Sequence, residues 1–107
     1  MSDKATGREQ LVAILSDAVA GGADAVTLEY DSGRSLEVLF HAGNAGAGFA
    51  VEGEAAAELY AAVYDEKKKG RGRVRLHLHG KDYIVQITAF DSFGETAYRL
   101  VIREAKR

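Results

Sequence analysis

The sequence predicts a two-layer α+β sandwich, in which two helices cover one face of a five-stranded antiparallel sheet. Two segments repeat apolar residues at helical spacing, five segments alternate apolar with polar residues, and short glycine-containing turns join neighbouring strands. The predicted element order is α-β-β-α-β-β-β and the predicted strand order is 2-1-5-4-3. We expect a single domain over residues 1–107, with residues 1–5 as a frayed, disordered end.

The first helix is predicted to begin at Thr6. Residues 6–9 match a capping box, because the Thr6 hydroxyl and the Glu9 carboxylate can each accept a hydrogen bond from a backbone N–H of the first turn. Gly21-Gly22 supplies a left-handed stop. The apolar stripe of this helix consists of Leu11, Ile14, Leu15, Ala18 and Val19.

A hairpin is predicted to follow the first helix. Residues 25–30 and 35–41 both alternate, and Asp31-Ser32-Gly33 offers a three-residue loop that pairs Leu28 with Leu36. The next stretch, AGNAGAG over residues 42–48, is predicted to be a flexible loop without regular structure, because it contains only small residues and one asparagine.

The second helix is predicted from about Glu54 to Lys68. Gly70 marks its end, and lysines occupy the last turn, where cations complement the helix dipole. The predicted apolar stripe consists of Ala56, Leu59, Tyr60, Val63 and Tyr64.

Residues 73–103 predict a three-stranded meander. A type II′ turn at Gly80-Lys81 would pair His79 with Asp82 and place Leu76 opposite Val85, so that apolar residues face apolar residues. The loop at residues 92–95 closes the second hairpin, and the last strand covers residues 98–103.

The sheet face opposite the helices is predicted to be an interaction surface. Apolar residues interrupt its polar positions, and arginines beside them could pair with the glutamates Glu29 and Glu37 across an interface. We therefore expect a protein partner or self-association. The surface consists of Leu39, Ile84, Phe90, Arg99, Val101 and Arg103.

One dense group of cations could contact phosphates. Its lysines also complement a helix dipole and its arginines also protect a sheet edge from pairing, and we favour this structural interpretation over nucleic-acid binding. The basic patch consists of Lys67, Lys68, Lys69, Arg71, Arg73 and Arg75.

Sites for catalysis, metals and cofactors are weakly indicated. His77 and His79 share a strand face with Asp82 across the hairpin, but no fourth ligand is evident, and His41 has no obvious partner. The glycines of residues 42–48 lack the spacing of known phosphate-binding loops, and no serine lies in a nucleophile motif. We expect no enzymatic activity, no metal and no cofactor. The alternative is a small-ligand or nucleic-acid binding module that uses this glycine-rich loop and the basic edge strand.

Composition favours a soluble cytoplasmic protein. The chain has no cysteine, a net charge of -2 and no apolar run long enough to span a membrane, so we expect no membrane insertion. Residues 1–10 are polar, unlike a signal peptide.

Several segments, in order, resemble the N-terminal, PAS-like domain of type II secretion and type IV pilus ATPases. GADAVTLE at residues 22–29 is similar to the family's GASDIHLE, and LEVLFHAG at residues 36–43 falls where the family has VRYRIDG. Residues 91–95 and 98–102 look like the family's hGEkvvlRlL ending. The resemblance covers about residues 9–103 and implies a domain that mediates subunit packing in a hexameric ring.

The sequence also departs from this family pattern. Thr27 replaces a histidine, Glu37 and Leu39 replace arginines, and Gln86 falls near another family arginine. Those arginines are the family positions that could approach nucleotide. The PQDGR segment after the second helix is missing, and the 107 residues contain no Walker motif. The resemblance therefore implies the packing domain without the motor, and no ATPase activity.

Overall fold

The computed structural model describes residues 3–31 and 35–105 and confirms an α+β fold. The predicted five-stranded sheet is wrong, because the described residues form one six-stranded antiparallel sheet. Its strand order is β3-β2-β1-β6-β5-β4. In chain order the elements are α1 Asp3–Ala20, β1 Ala25–Asp31, β2 Ser35–Ala42, β3 Ala45–Glu52, α2 Gly53–Lys69, β4 Arg73–Leu78, β5 Lys81–Ser92 and β6 Glu95–Glu104.

The additional strand, β3, is formed by the stretch predicted to be a flexible loop. Only Gly43 and Asn44 form the turn, and β3 then pairs with β2 along its whole length. A Cβ atom at Gly48 would lie 2.5 Å from Leu39 Cδ2 and 2.7 Å from the Val38 carbonyl oxygen. This glycine therefore permits close approach of two strands. The prediction failed because small residues give no apolar–polar alternation.

Helix α1 begins at Asp3, so the predicted cap at Thr6 lies inside the helix and is wrong. The end of the helix is as predicted, with Gly22 at φ 83° and its N–H donating to the Val19 carbonyl oxygen. Gly7 is buried where α1 crosses α2. A Cβ atom there would overlap the Glu58 carbonyl oxygen, so only glycine allows the two helices to lie this close.

The first meander hairpin turns one residue earlier than predicted. His79 and Gly80 occupy the turn with φ of 51° and 79°, which fits type I′, and Leu78 pairs with Lys81. Leu76 therefore lies opposite Tyr83, not Val85. The partner changes by two residues, and because side chains alternate with a period of two, the paired residues of β4 and β5 stay on their predicted faces. His79, which was predicted to be paired, lies in the turn instead.

The β1–β2 hairpin shows a shift of the same size in the opposite direction, with its turn one residue later than predicted. Leu28 lies opposite Val38, whereas Leu36 lies opposite Tyr30. Asp31 belongs to β1 and pairs with Ser35. The other two residues of the predicted loop, at positions 32 and 33, lie outside the described residues.

The core lies between the helix layer and one face of the sheet. The predicted stripe of α1 is buried apart from Val19, which is partly buried, whereas Tyr64 of the predicted α2 stripe is 51% exposed. Glu66 is buried instead, and it accepts a hydrogen bond from Arg8 Nε at 3.1 Å. Fully buried side chains at the centre of the core are Leu15, Leu28, Leu36, Leu59, Leu100, Val26, Val38, Val63 and Val85.

The helix crossing predicts an unusual response to Gly7→Ala. Alanine normally stabilises a helix relative to glycine by about 0.5–1 kcal/mol, but here its methyl group would push α1 away from α2. We expect a loss of about 1–3 kcal/mol in the free energy of unfolding, measured by urea titration. Gly21→Ala, where the nearest atom is 3.5 Å away, is the control and should be nearly neutral. Equal stability of the two variants would contradict this packing.

Candidate functional site

The six residues of the predicted interaction surface all lie on the sheet face that the helices do not cover. Each of them except Phe90 has a core residue next to it in sequence, and Phe90 lies six residues from Ile84 on β5, which places both on the same face. Phe90 is 38% exposed and Val101 is 36% exposed. We call this surface the open face; its predicted residues are Leu39, Ile84, Phe90, Arg99, Val101 and Arg103.

The apolar residues of the open face do not form one continuous patch. Gln86 and Thr88 separate Ile84 from Phe90 along β5, and Arg99 lies opposite Thr88 on one side and Thr27 on the other. Leu39 pairs with Thr27 from β2. The open face is thus a mixed polar and apolar surface, as is common for the surfaces of non-obligate protein complexes.

The open face carries two glutamates at one end, and Arg75, Arg103 and the acidic Asp82 near the other. Glu29 and Glu37 lie opposite each other near the β5–β6 turn, and Ser92 Oγ donates a hydrogen bond of 2.8 Å to Glu29 Oε1. Arg75 and Arg103 flank Ile84 near the other end. At about 3.4 Å per residue, the acidic and basic ends lie roughly 17–20 Å apart.

The predicted basic patch is divided between two surfaces. Its lysines end α2 in the helix layer, where Lys69 Nζ lies 3.7 Å from Glu66 Oε2. Arg73 and Arg75 point to the open face of the edge strand β4, and Arg71 lies in the connection with a φ of 55°. The six cations therefore do not form one continuous basic surface.

The two histidines of the possible metal site point to opposite sides of the sheet, so the prediction that they share a face is wrong. His77 Nδ1 lies 2.7 Å from Asp82 Oδ1. His79 occupies the turn, and its Nε2 contacts Ser16 of α1. Across the described residues, no group of three or more acidic, histidine or cysteine side chains could hold a metal ion.

Each histidine contacts polar neighbours. His79 Nε2 lies 3.0 Å from both the hydroxyl and the carbonyl oxygen of Ser16. A carbonyl oxygen can only accept, so that bond requires a proton on Nε2, and this nitrogen cannot accept a proton from the Ser16 hydroxyl. His77 borders an open cleft of about 540 Å³ whose described lining contains no serine, threonine or cysteine. His41, which had no predicted partner, lies 3.0 Å from the Thr27 hydroxyl.

Tyr30, Tyr60 and Tyr98 form a cluster at the boundary of α2 and the sheet, which the sequence pattern did not predict. The ring centroids of Tyr30 and Tyr60 lie 5.0 Å apart, and those of Tyr60 and Tyr98 lie 5.2 Å apart. Burial raises the pKa of Tyr98 to about 12, with further contributions from the nearby Tyr60, which also hydrogen-bonds to it, and from Tyr64. Burial likewise raises the pKa of Tyr30. These two hydroxyls are therefore neutral at physiological pH, and the cluster packs the domain without supplying a base.

Phe93 is the most unusual exposed residue in the described chain. It is fully exposed at the tip of the β5–β6 hairpin and has a φ of 53°, a conformation that suits asparagine, aspartate or glycine. The sequence could have indicated this residue, because phenylalanine precedes glycine at a two-residue turn where small polar residues are preferred. Exposed and strained residues of this kind frequently serve binding.

Comparison with known proteins leaves the family undecided. No protein-family model matches the sequence, and no curated protein matches it at a significant level. Within the described residues, no helix is both long enough and apolar enough to cross a membrane.

The raised pKa of Tyr98 predicts a specific loss of stability at alkaline pH. Its folded pKa of about 12 exceeds the ordinary tyrosine value of 10.0, so the stabilisation is complete below pH 10 and is lost as pH rises from 10 towards 12. Tyr98→Phe should therefore lose less stability over that range than the wild type. Melting temperatures measured across it provide the test. The exposed Tyr64→Phe retains Tyr98 and removes only the smallest contribution to its raised pKa, so it should follow the wild type closely. An identical decline in all three proteins would contradict the assignment.

Proposed function

We propose that the protein is a non-enzymatic protein-association or assembly domain, and that its open face binds a second copy of the chain. The observation that carries this proposal is that only one face of the sheet is buried by the helices. Both helices cover the same face of the sheet, while the other face exposes Phe90 and Val101 among charges of both signs. Exposed apolar residues interspersed with charged ones give this face the mixed composition of non-obligate protein interfaces.

The arrangement of charge supports a second copy as the partner. A two-fold axis lying in the interface and perpendicular to the strands would place the acidic end of each open face on the basic end of the other. Glu29 of β1 would then approach Arg103 of the neighbouring strand β6 in the other copy. Exposed ion pairs contribute only about 0.2–1 kcal/mol each, so these pairs would fix orientation, and burial of Phe90, Val101 and their neighbours would supply most of the affinity.

The sequence resemblance supports the same class of function. The N-terminal domain of secretion and pilus ATPases packs subunits together, and a related role would explain a small α+β domain whose described residues contain no catalytic arrangement. That relationship and a cytoplasmic location are part of the proposal. Loss of the family's arginines at Glu37, Leu39 and Gln86 favours association without nucleotide.

The alternative of ligand or nucleic-acid binding gains no support from the geometry. The glycine-rich residues form strand β3 and its turn, so they do not form a loop around a phosphate. The cations are divided between the helix layer and the open face. An exposed aromatic residue, Tyr64, lies beside the lysines, with its ring centroid 5.9 Å from Lys68 Nζ. Single-strand binding instead stacks successive bases on several aromatic side chains along a basic groove.

Adjacent residues on β6 provide the main test of this proposal. Val101→Lys changes the open face and should weaken self-association at least tenfold while leaving the melting temperature nearly unchanged. Leu100→Lys places a charge in the core, where the residue is completely buried, and should unfold the domain. Phe90→Glu should behave like Val101→Lys. Analytical ultracentrifugation and thermal melts distinguish these outcomes. Equal destabilisation by both lysines, or a strictly monomeric wild type, would refute the open-face proposal.

Phe93→Asn should change stability and binding in opposite directions. Asn-Gly suits a type I′ turn better than Phe-Gly, so the variant should be more stable than the wild type by up to about 1 kcal/mol. If Phe93 contributes to the interface, the same variant should associate more weakly. Urea denaturation and sedimentation measure the two effects separately. A more stable variant with unchanged association would remove Phe93 from the binding surface.

A further inference from the structure

We infer that β3 is a second association site, at which the edge of the sheet pairs antiparallel with β3 of another copy. The register is centred on Phe49, which lies next to Phe49 of the other chain across a two-fold axis. This inference concerns the sheet edge and can hold or fail independently of the open face.

One hydrogen bond between β1 and β2 determines which backbone N–H and C=O groups of β3 point outward and are available for this pairing. Asp24 N–H donates to the His41 carbonyl oxygen at 2.9 Å, so the backbone polar groups of His41 point towards β1 and away from β3. Its partner on β3 is Gly46. Because bonded and non-bonded pairs alternate along an antiparallel ladder, Gly46, Gly48 and Ala50 direct their N–H and C=O groups outward.

This edge lacks the protection found at the opposite edge of the sheet. From Ala45 to Val51, β3 contains neither a charged residue nor proline, and all of these residues except Val51 are exposed. At the other edge, β4 carries Arg73, Arg75 and His77. Cations and short strands usually prevent edge-to-edge pairing, whereas an eight-residue edge of small residues favours it.

The side chains of β3 favour a second copy and this register. Phe49 is 46% exposed on the helix side and packs edge-on against Phe40, with ring centroids 5.9 Å apart. A ladder centred on Phe49 would bring the aromatic pairs of both chains together. It would also place Gly48 of each chain opposite Ala50 of the other, in the outward-bonding positions, and Ala47 opposite Val51. No charge would be buried in these pairs.

Proline at position 50 tests the inference, because it removes an outward N–H without removing a hydrogen bond to β2. Ala50→Val is the matched control, since it adds bulk at the same position but keeps the N–H. In the Phe90→Glu background, which disables the open face, we expect Ala50→Val to retain a concentration-dependent dimer. Ala50→Pro in that background should remain monomeric while keeping the wild-type circular dichroism spectrum.

A second variant and a second measurement keep the test decisive. Phe49→Lys should also abolish the edge dimer, and this variant replaces Ala50→Pro in the test if Ala50→Pro fails to fold. Hydrogen exchange at the amides of Gly46, Gly48 and Ala50 should slow as protein concentration rises, and this slowing should be absent in Phe49→Lys. If folded Ala50→Pro or Phe49→Lys associates like its parent in both backgrounds, the edge inference is wrong. Persistence of the edge dimer in Phe90→Glu would separate it from the open-face contact.

Discussion

Burial on only one side of the sheet is the constraint on which the rest of this structure depends. Each strand directs alternate side chains into the core, and two helices that touch at Gly7 form the single layer that covers them. Six strands in one sheet then leave an uncovered face and two edges. The β4 edge carries cations, whereas the β3 edge carries only small and apolar residues until Glu52. The surfaces proposed for association are those that the helix layer leaves uncovered.

The sequence predicted the face of each strand residue better than it predicted the pairing. Leu28, Leu76 and Val85 point into the core as expected, although each has a different cross-strand partner. Alternation alone determines which face a side chain points to, whereas its cross-strand partner depends on the conformation of the turn. In the β4–β5 turn, His79 adopts a positive φ, which the sequence analysis did not predict. Strand β3 was missed because glycine and alanine carry no hydrophobic period. Its place beside β2 depends on the strand before it and on close backbone approach at Gly48.

The candidate surfaces, too, could be predicted only where they depend on local sequence pattern and not on tertiary structure. Alternation was enough to place Leu39 and Val101 on the open face, but the separation of charge between its ends required the strand order. The contacts among Tyr30, Tyr60 and Tyr98 join three elements and leave no signature in sequence. Phe93 did leave one, since a bulky residue before glycine in a tight turn conflicts with local preference. Such local conflicts concentrate at functional positions.

The most direct test of the central claim is the mass of the unmodified protein in solution as a function of concentration and salt. Sedimentation equilibrium should give a weight-average mass that rises above the 11.5 kDa of a single chain as concentration increases. Added salt should reduce that rise without abolishing it, because it screens the ion pairs that orient the complex but leaves apolar burial intact. A mass that stays at 11.5 kDa through the millimolar range, at low and high salt alike, would contradict association as the function of these surfaces.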